Sequence, residues 1–290
     1  MSAPQRVDHL RALGTKISPE MLQQTMALFA PYAARPDSSS GIIRRDVAYG
    51  DHERHRLDIF APHMEEEQGL PVVVFVHGGG FVGGDKGAED ALFYNNIGAW
   101  AVRHGMVGVT LRYRLAPSSP WPAGAEDIAQ AVQWLRNHIQ KVGGDTGRIV
   151  AMGQSAGAAH VAGYIAHPDL DAEASIAGAI MMSGIYDLET LAHSPLENAY
   201  YGTDSALFAE RSSLTGLVRT SLPCLFTLSE FDPDSFQMQA ERVVHENCRV
   251  NGRWPRMRYL SGHNHLSPAL ILGELDDPLS AELADFIKSV

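Results

Sequence analysis

Five residues, Gly153-Gln154-Ser155-Ala156-Gly157, carry the sharpest chemical signal in the chain. A serine between small residues is what a nucleophile needs on a strand-to-helix turn too cramped for larger neighbours. The flanks supply that setting. Ile149 to Met152 reads as a buried strand entering the turn, and Ala158 to Ala166 reads as the helix leaving it. The helix would also aim the positive end of its dipole at the reacting centre. A hydroxyl is a weak nucleophile, so Ser155 calls for a base, and the base for an orienting carboxylate.

A second motif, His77-Gly78-Gly79-Gly80-Phe81, follows the apolar run Val72 to Val76. Three successive glycines are costly in chain entropy unless something must approach the backbone closely. Acyl transfer supplies that something, because a tetrahedral oxyanion needs unobstructed N–H donors. Gly79, Gly80 and the N–H of Ala156 are therefore the expected oxyanion hole, with His77 bracing the loop. A phosphate cradle is the alternative, but no Gly-Lys-Ser/Thr follows and no G-x-G-x-x-G leads into a helix.

When the nucleophile sits at such a turn in an open α/β sheet, the acid and then the histidine follow in chain order. The buried run Leu222 to Leu228 leads into Ser229-Glu230-Phe231-Asp232-Pro233-Asp234, where Asp232 is the preferred acid and Glu230 and Asp234 compete. Past the last strand, Gly262-His263-Asn264-His265-Leu266-Ser267 offers two histidines. His265 is preferred as base and His263 is the fallback. The other histidines read as structural: His160 and His167 on the helix after Ser155, and His104, His138 and His245 near helix ends. Position alone suggests Phe81, Tyr186 and Phe231 as pocket walls.

These residues need a scaffold, and the apolar pattern supplies one. Buried runs at Val72–His77, Val107–Tyr113, Arg148–Met152, Ala177–Met182 and Leu222–Leu228 alternate with helical segments at Ala91–Arg103, Asp127–Ile139 and Leu279–Ile287. Ile42–Val47 and Arg56–Phe60 alternate as antiparallel edge strands do, and Arg256–Leu260 is a last strand. The expectation is an α/β fold with a mostly parallel sheet and helices on both faces. Residues 1–40 form a separate N-terminal helical cap segment, with Ser18-Pro19 as a helix start, and 41–290 the catalytic domain. That first segment is either a lid or a plain surface helix.

Composition narrows the function. A chain of 290 residues suits one large α/β domain. Its net charge of -11 argues against nucleic acid or an anionic membrane surface. No apolar run reaches membrane-spanning length and Met1–Leu10 lacks signal-peptide character, so a cytoplasmic protein is expected. The two cysteines read as reduced and buried. No Cys/His cluster has metal-ligand spacing; His52 and His55, three apart on a strand, would face opposite ways. Neither a metal nor a cofactor is expected. The acidic run Glu65–Glu67 reads as a solvated turn.

With these residues assembled, the chain resembles the hormone-sensitive-lipase-like branch of α/β-hydrolase-fold esterases over roughly residues 55 to 290. The motifs are Leu57-Asp58-Ile59-Phe60, His77 to Phe81, Tyr113-Arg114-Leu115-Ala116-Pro117, Trp121-Pro122-Ala123 with Glu126-Asp127, Gly153 to Gly157, and Phe231-Asp232-Pro233. The resemblance implies an eight-stranded sheet, a cap built in part from the first residues, and a triad completed by Asp232 and His265. Three features depart from the branch: Gln154 where Asp is common, a histidine segment unlike the usual His-Gly-Phe, and a short N-terminal cap. They lean toward the kynurenine-formamidase-like and small feruloyl or acetyl esterase-like branches.

The expected activity is that of a serine carboxylesterase hydrolysing short- to medium-chain acyl or aryl esters through an acyl-enzyme. Its partner would be a small-molecule ester, and a homodimer paired through an edge strand is compatible with the resemblance. An arylformamidase using the same residues, or a non-catalytic receptor on this fold like the gibberellin receptors, are the alternatives. The rate should rise as an imidazole base loses its proton, over the ordinary histidine range of about 6 to 7.

Overall fold

A computed structural model describes residues 3–37, 41–63, 69–170, 176–275 and 277–290. The Glu65–Glu67 run lies outside the described residues. The chain begins with helices α1 (Ala3–Leu13) and α2 (Pro19–Phe29), followed by strands β1 (Gly41–Ala48), β2 (Arg56–Pro62) and β3 (Leu70–Val76). Helix α3 (Asn95–Arg103), β4 (Val107–Leu111), α4 (Ala123–His138), β5 (Gly144–Gln154), α5 (Ala156–Ala166) and β6 (Gly178–Met182) then alternate. Three short helices, α6 (Pro195–Tyr201), α7 (Phe208–Arg211) and α8 (Leu214–Arg219), separate β6 from β7 (Cys224–Phe231). Helix α9 (Asp234–Asn251), β8 (Met257–Asn264), α10 (Ser267–Ile271) and α11 (Pro278–Ser289) complete it.

The eight strands make one sheet in the order β1-β2-β4-β3-β5-β6-β7-β8. The β1–β2 and β2–β4 pairs are antiparallel and every later pair is parallel. Residue alternation along β3 explains why the sheet is covered twice. Val72, Val74 and Val76 point into a core shared with Ile128, Val132 and Leu135 of α4 and Val161 of α5. Val73 and Phe75 point into a second core with Ile97 and Trp100 of α3 and Leu283 and Ile287 of α11. A strand apolar at every position is therefore a strand buried on both faces.

Helices α1 and α2 belong to the second core, through Leu10 and Phe29. They pack beside β8 and α10: the Arg6 guanidinium pairs with Glu274 at 2.8 Å, and Thr25 hydrogen-bonds Asn264 at 2.7 Å.

Several sequence expectations shift. Strand β8 runs on to Asn264, past the Leu260 end expected from the apolar run, and β7 runs on to Phe231. Ladder pairing between Phe231 and Asn264 extends both strands beyond their apolar runs. His52 and His55 sit in a tight turn and not on a strand: the His55 N–H donates to the His52 carbonyl at 2.8 Å and the rings lie 5.4 Å apart. Both cysteines are free, but only Cys224 is partly buried. Cys248 is exposed, because it occupies the outer face of the amphipathic helix α9.

Candidate active site

Strand β5 delivers Ser155 at its carboxyl end, and Ser155 N–H donates to Met182 O of neighbouring β6 at 2.9 Å. The serine takes φ 55° and ψ -121°, a conformation that costs an L-residue on the order of 1–3 kcal/mol and persists because strand and helix hold it from both sides. Close approach explains Gly157. A Cβ there would meet the Val76 carbonyl oxygen at 2.1 Å, so α5 packs against the end of β3 only without a side chain at this position.

Asp232 is the first residue beyond β7 and is fully buried. Its Oδ1 lies 2.6 Å from His265 Nδ1, while its Oδ2 accepts from the Ser183 hydroxyl at 2.6 Å and from Ser229 N–H at 2.7 Å. A carboxylate only accepts, so Nδ1 carries the imidazole proton and Nε2 presents its lone pair. Nε2 is buried and has no hydrogen-bond partner among the described residues. The His265 ring lies 4.4 Å from that of Phe236 on α9, and its backbone carbonyl accepts the Gln154 side-chain amide at 2.6 Å. Gln154 directly precedes Ser155, so this bond ties the histidine to the serine turn.

The competing residues are engaged elsewhere. His263 Nδ1 lies 3.0 Å from Ser267 Oγ at the start of α10, and burial holds its imidazole below the ordinary histidine range. Glu230 accepts the Gly262 N–H at 2.7 Å, and Asp234 is the opening residue of α9. The structure thus pairs Asp232 with His265 and gives Glu230 and His263 other partners.

The glycine loop follows β3 directly. A Cβ on Gly78 would lie 3.2 Å from the Ser155 Cβ, so the loop backbone runs beside the serine. Gly79 has φ +130°, and a Cβ there would meet the Gly83 carbonyl oxygen at 2.2 Å; only glycine meets both demands. Gly80 faces α6, where Leu196 Cδ1 would lie 2.8 Å from an added Cβ. His77 acts as the loop's brace: its Nδ1 lies 2.6 Å from the Gly78 carbonyl, its ring stacks on Tyr113 at 4.4 Å, and its own carbonyl accepts the Tyr113 hydroxyl at 2.9 Å. Burial lowers its pKa to about 4, which keeps the ring neutral. Ala156 opens α5 on the other side of Ser155.

Three expected pocket residues end in three different places. Phe81 joins an apolar cluster with Ala156, Ala159, Ile185, Leu188, Tyr200 and Tyr201, stacked on Tyr200 at 4.8 Å. Tyr186 lies in the core under α4 and α5, its hydroxyl accepting from Gly184 N–H at 3.2 Å. Phe231 lies in the opposite core, with the Arg11 guanidinium 5.6 Å from its ring centroid. The apolar cluster beside Ser155 is thus built largely from the β6–β7 connection, whose helices were not foreseen. A signal existed: Ser194-Pro195-Leu196-Glu197 forms a capping box with proline at the first turn of α6. Another buried knot lies nearby, where Asp127 accepts Arg114 N–H at 2.6 Å and contacts His55 Nε2 at 3.1 Å. Among the described residues no group of three His, Cys, Asp or Glu side chains could hold a metal ion, and no helix is long and apolar enough to cross a membrane.

The BD-FAE family model matches residues 57–233, more than half of the chain and the stretch that carries the glycine loop, Ser155 and Asp232. The chain belongs to the BD-FAE family. This BD-FAE chain is 41% identical over 96 residues to esterase LipI of Mycobacterium tuberculosis, covering 33% of this chain and 29% of LipI. It is 41% identical over 116 residues to carboxylesterase NlhH of the same species, covering 40% of this chain and 35% of that relative. The chain therefore spans about a third of the length of these curated relatives. Among solved structures it superposes on esterase B of Lactobacillus rhamnosis with a TM-score of 0.69 at 16% identity, covering 99% of this chain and 96% of that one. The esterase of Pyrobaculum calidifontis gives 0.66 at 20% identity, with 99% and 96% covered. Both superpositions establish the α/β-hydrolase fold from end to end.

Proposed function

We propose that this BD-FAE chain is a serine carboxylesterase that hydrolyses short- to medium-chain acyl esters, aryl esters included, through an acyl-enzyme. The observation that carries the reading is the buried Asp232–His265 contact of 2.6 Å, held against the nucleophile turn by the 2.6 Å bond from Gln154 to the His265 carbonyl. The names of the M. tuberculosis relatives point to the same chemistry.

In this reading Ser155 Oγ attacks the ester carbonyl carbon while His265 Nε2 takes the hydroxyl proton. Asp232 stabilises the resulting imidazolium and keeps the proton on Nδ1. The oxyanion is held by the N–H groups of Gly79, Gly80 and Ala156, each donor worth on the order of 10²–10³ in rate. The tetrahedral intermediate collapses, breaking the bond to the alkoxy oxygen, and His265 returns the proton to the departing alcohol. Water then gives a proton to His265 and attacks the acyl carbon; the bond from that carbon to Ser155 Oγ breaks, His265 returns the proton to Oγ, and the acid leaves the regenerated serine. Phe81, Ile185, Leu188 and the tyrosine pair of α6 form an apolar wall suited to an alkyl or aryl group. Residues 41–290 are the catalytic domain, and residues 1–40 an N-terminal cap segment that braces its histidine end.

p-Nitrophenyl acetate, butyrate, octanoate and laurate, with N-formylkynurenine beside them, test this. The wild type should hydrolyse the shorter esters fastest, and Ser155→Ala should lose at least about 10³-fold in kcat. An active Ser155→Ala protein, or a wild type inert toward every one of these esters, would sink the proposal. Preference for N-formylkynurenine would move the assignment to a formamide hydrolase.

A further inference from the structure

The residue just before the nucleophile does more than complete a turn. Gln154 is 1% exposed, and its Nε2 donates at 2.6 Å to a carbonyl 111 positions away, that of His265. A carbonyl oxygen only accepts, so the orientation of the amide is set by chemistry. Its Oε1 is turned toward the glycine loop, 3.4 Å from where a Gly78 Cβ would stand. One side chain therefore ties the strand that bears the serine to the loop that bears the histidine, with its Oε1 buried beside the glycine loop and without a hydrogen-bond partner among the described residues.

Sheet order shows why such a bridge is needed. Strands β6 and β7 lie between β5, which delivers Ser155, and β8, which delivers His265. Small changes in twist accumulate over two intervening strands, whereas proton transfer tolerates only a narrow range of positions. A direct hydrogen bond from β5 to the histidine backbone removes that slack. Aspartate, common at this position in the branch the chain resembles, could not replace it: it is one methylene shorter and carries only acceptors.

We propose that Gln154 is a positioning residue that holds the His265 backbone in register with Ser155. The proposal rests on the reading of Ser155, His265 and Asp232 as the catalytic set, and it adds the element that ties the backbone of His265 to the turn that bears Ser155.

The test uses the full chain as wild type, Ser155→Ala, Gln154→Glu and Gln154→Met. Glutamate keeps the shape but offers only acceptors to the carbonyl, and methionine keeps the shape without polarity. Active sites are counted by the burst of p-nitrophenol from diethyl p-nitrophenyl phosphate, and kcat and KM for p-nitrophenyl acetate are expressed per titrated site. Both Gln154 variants should lose about 10- to 100-fold in kcat with KM changed less than about twofold, as expected for a base displaced by a fraction of an ångström. A purely structural role would instead lower Tm and the titratable fraction while kcat per site stays at the wild-type value; that result in either variant overturns the proposal. A wild type without esterase activity, or an active Ser155→Ala, overturns the underlying reading and is recognisable as such before any Gln154 variant is measured.

Discussion

Ser183 relates to Asp232 much as Asp232 relates to His265. It is a non-glycine residue at φ 47° immediately after β6, and its hydroxyl donates to Asp232 Oδ2 at 2.6 Å. A fully buried carboxylate needs several donors to stay charged, and this one has Ser183 Oγ, Ser229 N–H and His265 Nδ1. Removing one strands part of that charge, at a cost of about 1–3 kcal/mol. Ser183→Ala should therefore lower kcat/KM for p-nitrophenyl acetate roughly tenfold, chiefly through kcat, and leave a folded protein by circular dichroism. An unchanged kcat/KM would mean that the other two donors suffice. The same reasoning distinguishes His265 from His263 at single-residue resolution: one meets a buried carboxylate, the other a serine hydroxyl that opens a helix.

At the level of elements, the N-terminal helices bear on the site through the strand that carries the histidine. Asn264, fully buried, donates its amide to Thr25 Oγ1 at 2.7 Å and accepts from Leu266 N–H at 3.2 Å and Ser267 N–H at 3.0 Å. Thr25 in turn donates to the Met21 carbonyl at 2.8 Å. This chain of bonds links α2, the end of β8 and the start of α10. Helix α1 adds Val7 against Gly262, where a Cβ would lie 2.7 Å from Val7 Cγ2. Thr25→Val keeps the shape and leaves a buried amide without its oxygen partner, so unfolding in urea should show a loss of about 1–3 kcal/mol. The exposed Arg11–Asp8 pair on α1 is a control, and Asp8→Ala should cost less than about 1 kcal/mol. Equal costs for the two would show that α2 is not held through Asn264. Burial decides the difference, because water replaces a partner at Asp8 and cannot at Asn264.

Across the whole molecule, buried histidines set the response to acid. Burial lowers the pKa of His77 to about 4 and of His160 to about 3. In the unfolded chain both titrate near about 6.5. Between those values the unfolded state binds protons that the folded state refuses, so stability falls as pH drops from about 6.5 toward 4, and for His160 on toward 3. At pH 5 each contributes a loss of up to roughly 2 kcal/mol relative to pH 7. His160 sits among Phe81, Tyr113 and Tyr200, with neither ring nitrogen hydrogen-bonded among the described residues. Urea unfolding at pH 7 and pH 5 should show this loss, and His160→Leu should shrink the difference between the two pH values. A difference unchanged by the substitution would remove His160 from the account.

Much of this molecule is legible without coordinates, and the reason is local. A serine between small residues after a buried strand, three glycines after another, and apolar residues at every position of Val72 to Val76 each state a short-range demand that few backbones satisfy. Those demands determined the sheet, the turn at Ser155 and the course of the glycine loop. Other questions depend on residues far apart in the chain. Which acid meets which imidazole depended on β7 and β8 extending beyond their apolar runs through mutual pairing. That Tyr186 and Phe231 lie in separate cores, while α6 sets Leu196 against Gly80, depended on how the β6–β7 connection folds back over the sheet. Local pattern records what each segment needs from its surroundings. Only the packed tertiary structure decides which distant segment provides it.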